Sequence, residues 1–300
     1  MIDFKETVRR LIDHLTVLTV TIGERAMFSP DKLEAAAHYI ESAYRLSGLD
    51  VEREDYPCTG YTATNVVAFS DPSGGAAAGH YLVGAHYDSV LGTVGADDNA
   101  SAVAVQLEVA RQLHAMRAAR DIPVSVKFVS FALEEHPAYA TRFMGSRVHA
   151  KGMKARREKL DGMICLEMVG YTCDRPGCQK YPFPLGRMNY PKRGDYIGIV
   201  GNLKSRKLVR GLYESFGKNP ALPVVSLTVP LNGWILPAVR LSDHASFWNE
   251  RFPAVMVTDS AFFRNPNYHL PSDTMNTLDF EFMARLVQSL LIFFNSFATT

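Results

Sequence analysis

Apolar residues along this chain switch between two spacings, and the switching predicts its elements. From Phe4 to about Val20 they recur at helical intervals, and a second helix is predicted after Ser29-Pro30, where serine suits the cap and proline the first turn. Short apolar runs bounded by turn residues predict strands over residues 51–56, 63–69, 81–85, 124–133, 162–166, 196–200, 224–229 and 254–258. A helix begins just after Asp98 with Val103, Leu107 and Ala110 on its inner stripe, and another covers 203–216. In a C-terminal helix, Phe282, Leu286, Leu290, Phe293 and Phe297 share one face. Strands alternating with helices imply a mixed, mainly parallel sheet covered on both sides, a three-layer α/β/α arrangement. With no repeat and no Pro/Gly/Ser linker to divide it, the chain is read as a single domain over residues 1–300.

Composition narrows the partners. The chain has 300 residues, 47% of them hydrophobic, enough for a large core, and its 32 basic and 31 acidic residues leave a net charge of +1. No global field draws nucleic acid or an anionic membrane, and the basic run at 154–159 is read as a solvated helix face. The N-terminal residues mix charge with apolar positions and contain no apolar stretch of the kind that directs export. Residues 286–297, interrupted by Gln288, Ser289 and Asn295, are too short and too polar to span a bilayer. A soluble, cytoplasmic protein is expected, with Cys58, Cys165, Cys173 and Cys178 as reduced thiols.

The chemistry sits where predicted strands end. His86 and Asp88 follow the third strand, Asp97-Asp98 follow a short Gly-containing loop, Glu134-Glu135 follow the fourth strand and Glu167 the fifth. That edge is where open α/β sheets build their sites. Imidazole and carboxylate are the zinc ligands expected without thiolate, and His86, Asp97, Glu135, Glu167 and His269 suit a pair of Zn²⁺ ions. Asp97 is read as the bridge, with His86 and Glu167 completing one position and Glu135 and His269 the other. Asp88 can orient the His86 imidazole. Glu134 is the surplus acid that takes the proton of an activated water.

Taken singly, His86 would be a structural or surface histidine and Glu134-Glu135 a solvated loop pair; the ordered set argues otherwise. His136, before Pro137 and with no identifiable partner, is read as a structural or surface histidine rather than a ligand. For His244 in Ser242-Asp243-His244, a binding role and a structural role at a helix cap made by Ser242 or Asp243 both stand. Trp234, Phe247, Trp248, Phe262 and Phe263 are read individually as core, with Phe247, Trp248 and Phe262 candidates for a side-chain pocket and 231–234 for a mobile wall.

The ordered motifs GAHYDS, GADDNASA, ALEEH with the later Gly145-Ser146, CLEMVGY, SDHASFW followed by FPAV, and YHLPSDT resemble the zinc aminopeptidase family that includes bacterial leucyl aminopeptidases, glutamate carboxypeptidase II and glutaminyl cyclases. The resemblance runs from about Asn65 to the C-terminal helix, and the helical lead-in fits it. It implies zinc binding by His86, Asp97, Glu135, Glu167 and His269, Glu134 as general base, and a cis Asp97-Asp98 peptide. The chain departs from it at Glu167, where many aminopeptidases carry Asp, and at Ala102, where the motif usually has Gly. The expected activity is hydrolysis of N-terminal residues from peptides with a free amine, using two Zn²⁺ ions. A glutaminyl cyclase-like acyltransferase, a carboxypeptidase or dipeptidase with Arg187, Arg193, Arg240 or Arg264 holding a carboxylate, and a non-catalytic binding protein are the rivals.

Overall fold

The computed structural model describes residues 3–72 and 77–298. Helix α1 (Phe4–Leu15) starts where the Asp3 carboxylate accepts the Glu6 amide at 3.1 Å, and it continues as a wider turn over Thr16–Ile22. Helix α2 (Pro30–Leu46) has proline in its first turn as expected, but Ser29 contributes its carbonyl and not its hydroxyl to the start. A hairpin of β1 (Asp50–Cys58) and β2 (Tyr61–Ser70) follows, each strand longer than its apolar run.

The remaining elements are β3 (Gly79–His86), α3 (Ala102–Arg117), β4 (Val124–Phe131), α4 (Gly145–Ala155), β5 (Gly162–Glu167), β6 (Ile197–Asn202), α5 (Arg206–Phe216), β7 (Val224–Val229), α6 (His244–Asn249), β8 (Ala254–Thr258) and α7 (Phe280–Asn295). The strands form one eight-stranded sheet in the order β1-β2-β4-β3-β5-β8-β6-β7. Its centre, β4-β3-β5-β8, is parallel; β1-β2, β2-β4 and β8-β6 pair antiparallel, so the sheet is mixed.

Helices cover both faces. On one, α3 and α7 pack with α1, α2 and α5 around Val103, Leu107, Leu286, Leu290 and Phe293; on the other, α4 and α6 cover Phe131, Met163 and Phe247. The predicted stripe of α7 is buried at Phe282, Leu286, Leu290 and Phe293, while Phe297 packs at the margin against Tyr81. Gln106 is a polar member of this core: its amide donates to the Val83 and Val129 carbonyls and accepts from Ser130, which ties α3 to β3 and β4.

Two expectations change. The basic run at 154–159 is not a helix face, because α4 ends at Ala155 and Arg157 turns into left-handed backbone (φ 55). Cys173 and Cys178 are not free thiols but a disulfide, since the intervening turn with Gly177 at φ 81 brings their Cα atoms to 6.4 Å. Cys58 and Cys165 are free and buried. Among the described residues no helix is long and apolar enough to cross a membrane.

Candidate metal centre

His86 closes β3 and Glu167 closes β5; these strands are hydrogen-bonded neighbours, so both side chains emerge at one edge of the sheet. Just past the end of β4, Leu133 takes left-handed backbone (φ 61), which redirects the chain and aims Glu134 and Glu135 at the same place. Such backbone in a branched residue costs on the order of 1–3 kcal/mol and persists only where the surroundings enforce it. Here Asp88 does so: its Oδ1 accepts the Glu134 amide at 3.0 Å and its Oδ2 the Glu135 amide at 2.9 Å. The carboxylate of Asp88 therefore positions the acidic pair. The imidazole is oriented chiefly by the Asp88 carbonyl, 3.2 Å from His86 Nδ1, with the carboxylate Oδ1 at 3.4 Å.

The turn between β3 and α3 supplies Asp98. Gly95 begins it at φ 53, and a Cβ there would collide with the Asp98 carbonyl, so glycine is required. Asp273, from the last of the sequence motifs, accepts the amides of Asp97 at 2.9 Å and Asp98 at 3.1 Å. Asn99 bonds the Leu166 carbonyl and the Met168 amide, tying the turn to the end of β5.

Beneath this turn lies Arg25, fully buried and bonded to carbonyls: those of Tyr87, Leu18, Gly23, Val94 and Gly95. It ties the segment after α1 to the loop that carries Asp88.

The side chain between the two groups is not that of Asp97, the expected bridge. Asp98, not Asp97, lies between the two groups: its Oδ1 is 3.4 Å from His86 Nε2 and its Oδ2 is 3.2 Å from His269 Nε2. Asp97 turns the other way, accepting from the Gly170 amide at 2.9 Å and from Asn265 at 2.7 Å. Consecutive side chains on this turn diverge, so only one of the pair can face the site. The cis peptide likewise falls one residue later, at Asp98-Asn99.

Two triads result, His86–Asp98–Glu167 and Asp98–Glu135–His269, and within each the candidate ligand atoms all lie within 4.8 Å of one another. Glu167 Oε2 is 3.6 Å from His86 Nε2 and Glu135 Oε2 is 3.4 Å from His269 Nε2. Glu134 stands beside both, its Oε2 3.9 Å from His86 Nε2.

The electrostatics of this cluster call for cations. Burial pushes the Glu134 carboxyl well above the usual carboxylate range, with Glu167 and Glu135 adding to the rise and His86 opposing it. Burial, reinforced by Asp98, raises Glu135 to about 7 despite His269. Desolvation would lower both histidines, yet the surrounding carboxylates outweigh it, holding His86 well above its ordinary value and raising His269 to about 10. His86 Nε2 and Glu135 Oε1 are buried with no hydrogen-bond partner among the described residues, although they point into a cluster of acids. Imidazole and carboxylate donors with orphaned atoms fit divalent metal ions such as zinc.

Three participants were not legible in the sequence. Ser242 donates to Glu167 Oε2 at 2.5 Å and thereby fixes the longer acid; Asp273 sets the turn; Asp243, raised to about 7 by burial, lies within electrostatic reach of His86 and Glu167. His244 is a structural histidine, bonded to the Val239 carbonyl at 2.8 Å and edge-on to Trp248, and neither Ser242 nor Asp243 caps α6. His136 is exposed, its ring beside Tyr139.

A cavity opens directly beside Glu167 and Tyr268, walled by the 180–190 segment, β6 and Phe262-Phe263. Phe247 and Trp248 do not reach it and belong to the core. Leu231–Gly233 and Trp234 also lie outside its wall, which is made there by Ala238, Val239 and Leu241. Trp234 is instead exposed and stacked on the Arg240 guanidinium at 3.8 Å.

Comparison with known proteins places this arrangement. The chain is 39% identical over 289 residues to the Escherichia coli protein YfbL, described as uncharacterized, covering 93% of this chain and 85% of that one. It is 26% identical over 213 residues to a probable leucine aminopeptidase of Arthroderma benhamiae, covering 67% of this chain and 49% of the fungal protein, so it spans about half of that relative. In fold it matches the Legionella pneumophila LapA aminopeptidase (TM-score 0.73, 19% identity, 99% of this chain and 74% of that one) and a glutaminyl cyclase of Porphyromonas gingivalis (TM-score 0.70, 16% identity, 98% of each chain). Residues 65–293, from β2 to near the end of α7, match the peptidase family M28, and the chain belongs to that family.

Proposed function

We propose that this M28 peptidase is a di-zinc aminopeptidase, removing the first residue from peptides with a free amine and an uncharged, preferably apolar first side chain. The observation that supports it most is the division of Asp98, one oxygen toward His86 and the other toward His269. His86 and Glu167 would hold one ion, Glu135 and His269 the other, and Asp98 both. When bound, the two ions would polarise the scissile carbonyl and acidify the attacking water. Glu134 receives the proton of that water and returns it to the leaving amine. Burial raises the proton affinity of its carboxylate, which suits that group to take up the proton.

The direction of cleavage follows from which charges remain available. Glu135 and Glu167 face the site and can anchor an ammonium. Arg240 and Arg264 are buried and engaged by protein groups: Arg240 by Asn232 and Asn249, Arg264 by Gln179, Tyr171 and Tyr196. Arg187 lies over the exposed Phe183 ring. Acetylating the substrate amine should therefore abolish hydrolysis, because the acids lose their cationic partner, while amidating the C-terminus should change little. Peptide cleavage followed by mass spectrometry reads both. Tolerance of acetylation with loss on amidation would establish a carboxypeptidase instead, and pyroglutamate formation without chain shortening would establish a cyclase.

His269→Ala should lower bound zinc from two ions per chain toward one, since it removes the ligand nitrogen of a single triad. Metal analysis after dialysis checks this; an unchanged count of two would exclude His269 as a ligand.

A further inference from the structure

We propose that the cavity beside Glu167 selects aromatic first side chains over aliphatic ones, a specificity that rests on the aminopeptidase reading. The cavity begins at Glu167 and at Tyr268, whose ring stacks on that of His269 with centroids 3.8 Å apart, so a side chain entering it belongs to the residue whose amine and carbonyl lie at the acidic cluster.

Two groups of rings line it. Tyr181 and Tyr190 stack at 5.4 Å with 28° between their planes, and Phe262 meets Phe263 at 4.4 Å and Tyr268 at 5.3 Å. Phe262 remains 40% exposed, an aromatic surface at the mouth still open to cover. A ring inserted among these side chains gains offset or edge-on contacts beyond its burial. An aliphatic side chain gains the burial alone.

Depth comes from the sheet. Gly198 on β6 lies in register with Thr258 on β8 and has no side chain, so the floor is open where a Cβ would meet the Thr258 carbonyl at 3.3 Å. The cavity holds about 120 Å³. That is several times the roughly 10–15 Å³ one water needs, and it admits a large side chain. Of its lining only Glu167, at its head, and Lys180, on an exposed segment, carry charge; aromatic and aliphatic side chains make up most of the rest.

The test compares aminoacyl anilides of Phe, Tyr, Leu and Ala on the zinc-loaded full chain. Phe and Tyr should exceed Leu in kcat/KM by about tenfold, the equivalent of about 1.4 kcal/mol. A Leu value equal to or above that of Phe overturns the proposal. Gly198→Val should lower the Phe value at least several-fold more than the Ala value, and a uniform loss would count against an aromatic site at that floor. A second readout needs neither turnover nor a refolded floor: calorimetric binding of phenylalanine amide and leucine amide to Glu134→Gln should favour the aromatic amide about tenfold. That preference without hydrolysis of any anilide by the native chain would keep the pocket assignment and sink the peptidase reading, whereas hydrolysis of every anilide with leucine preferred would do the reverse.

Discussion

Replacing Glu134 with glutamine should lower kcat at least about a hundredfold, the scale of general acid–base catalysis, while leaving zinc content and folding unchanged. The side chain is in neither triad, so no ligand is lost. Its backbone amide, not its carboxylate, is what Asp88 holds, so the substituted residue stays where it is. Glutamine keeps the shape but cannot accept a proton. A neutral amide at this buried position also adds no charge for the fold to desolvate. Steady-state kinetics together with metal analysis on one preparation decides the matter. Turnover near that of the native protein would remove Glu134 from the reaction, and lost zinc would make it a ligand instead.

Asp98→Ala and Asp97→Asn should separate by their metal content. Asp98 is the one residue shared by both triads, so its loss should drop zinc below one ion per chain and with it all measurable hydrolysis. Asp97 faces Gly170 and Asn265 beside a second acid, Asp259, and burial pushes its carboxyl well above the usual carboxylate range. The neutral amide introduced by Asp97→Asn therefore resembles the state this carboxyl already favours. Both ions should be retained, with an affinity change no larger than the roughly 10–100-fold typical of residues that support the ligands without binding metal themselves. Zinc stoichiometry and the rise in melting temperature on adding zinc measure the contrast. If Asp97→Asn strips the metal and Asp98→Ala does not, the bridge belongs to Asp97.

That pair shows where sequence reasoning stops. The strands that end in His86, Glu167 and the Glu134-Glu135 pair were legible because buried parallel strands are apolar runs, and an acid or imidazole at the end of such a run stands out. Choosing between Asp97 and Asp98 depends on which side of one turn each faces, and that is fixed by Asp273 from 175 residues away. Ser242 was invisible as a partner of Glu167 for the same reason, with 75 residues between them. Helix α4 escaped notice because the face it buries, Gly145, Ser146, His149, Ala150 and Met153, keeps helical spacing but carries only one large apolar side chain. The cavity wall at 180–190 is irregular backbone, and no periodicity announces which of its tyrosines meet.

Arg25 bears on what counts as one unit. The family match begins at Asn65, yet the guanidinium that braces the loop of Asp88 comes from well before it, outside the matched span. It is a buried cation held by five carbonyls that would otherwise compete for donors of their own. A chain cut to the matched boundary would keep all the candidate ligands but leave the Val94 and Gly95 carbonyls facing a hole, and it would bare the edge of β2 where β1 now pairs. The span of the family match is thus smaller than the segment that holds the candidate site together, and the difference is a buttress rather than an appendage.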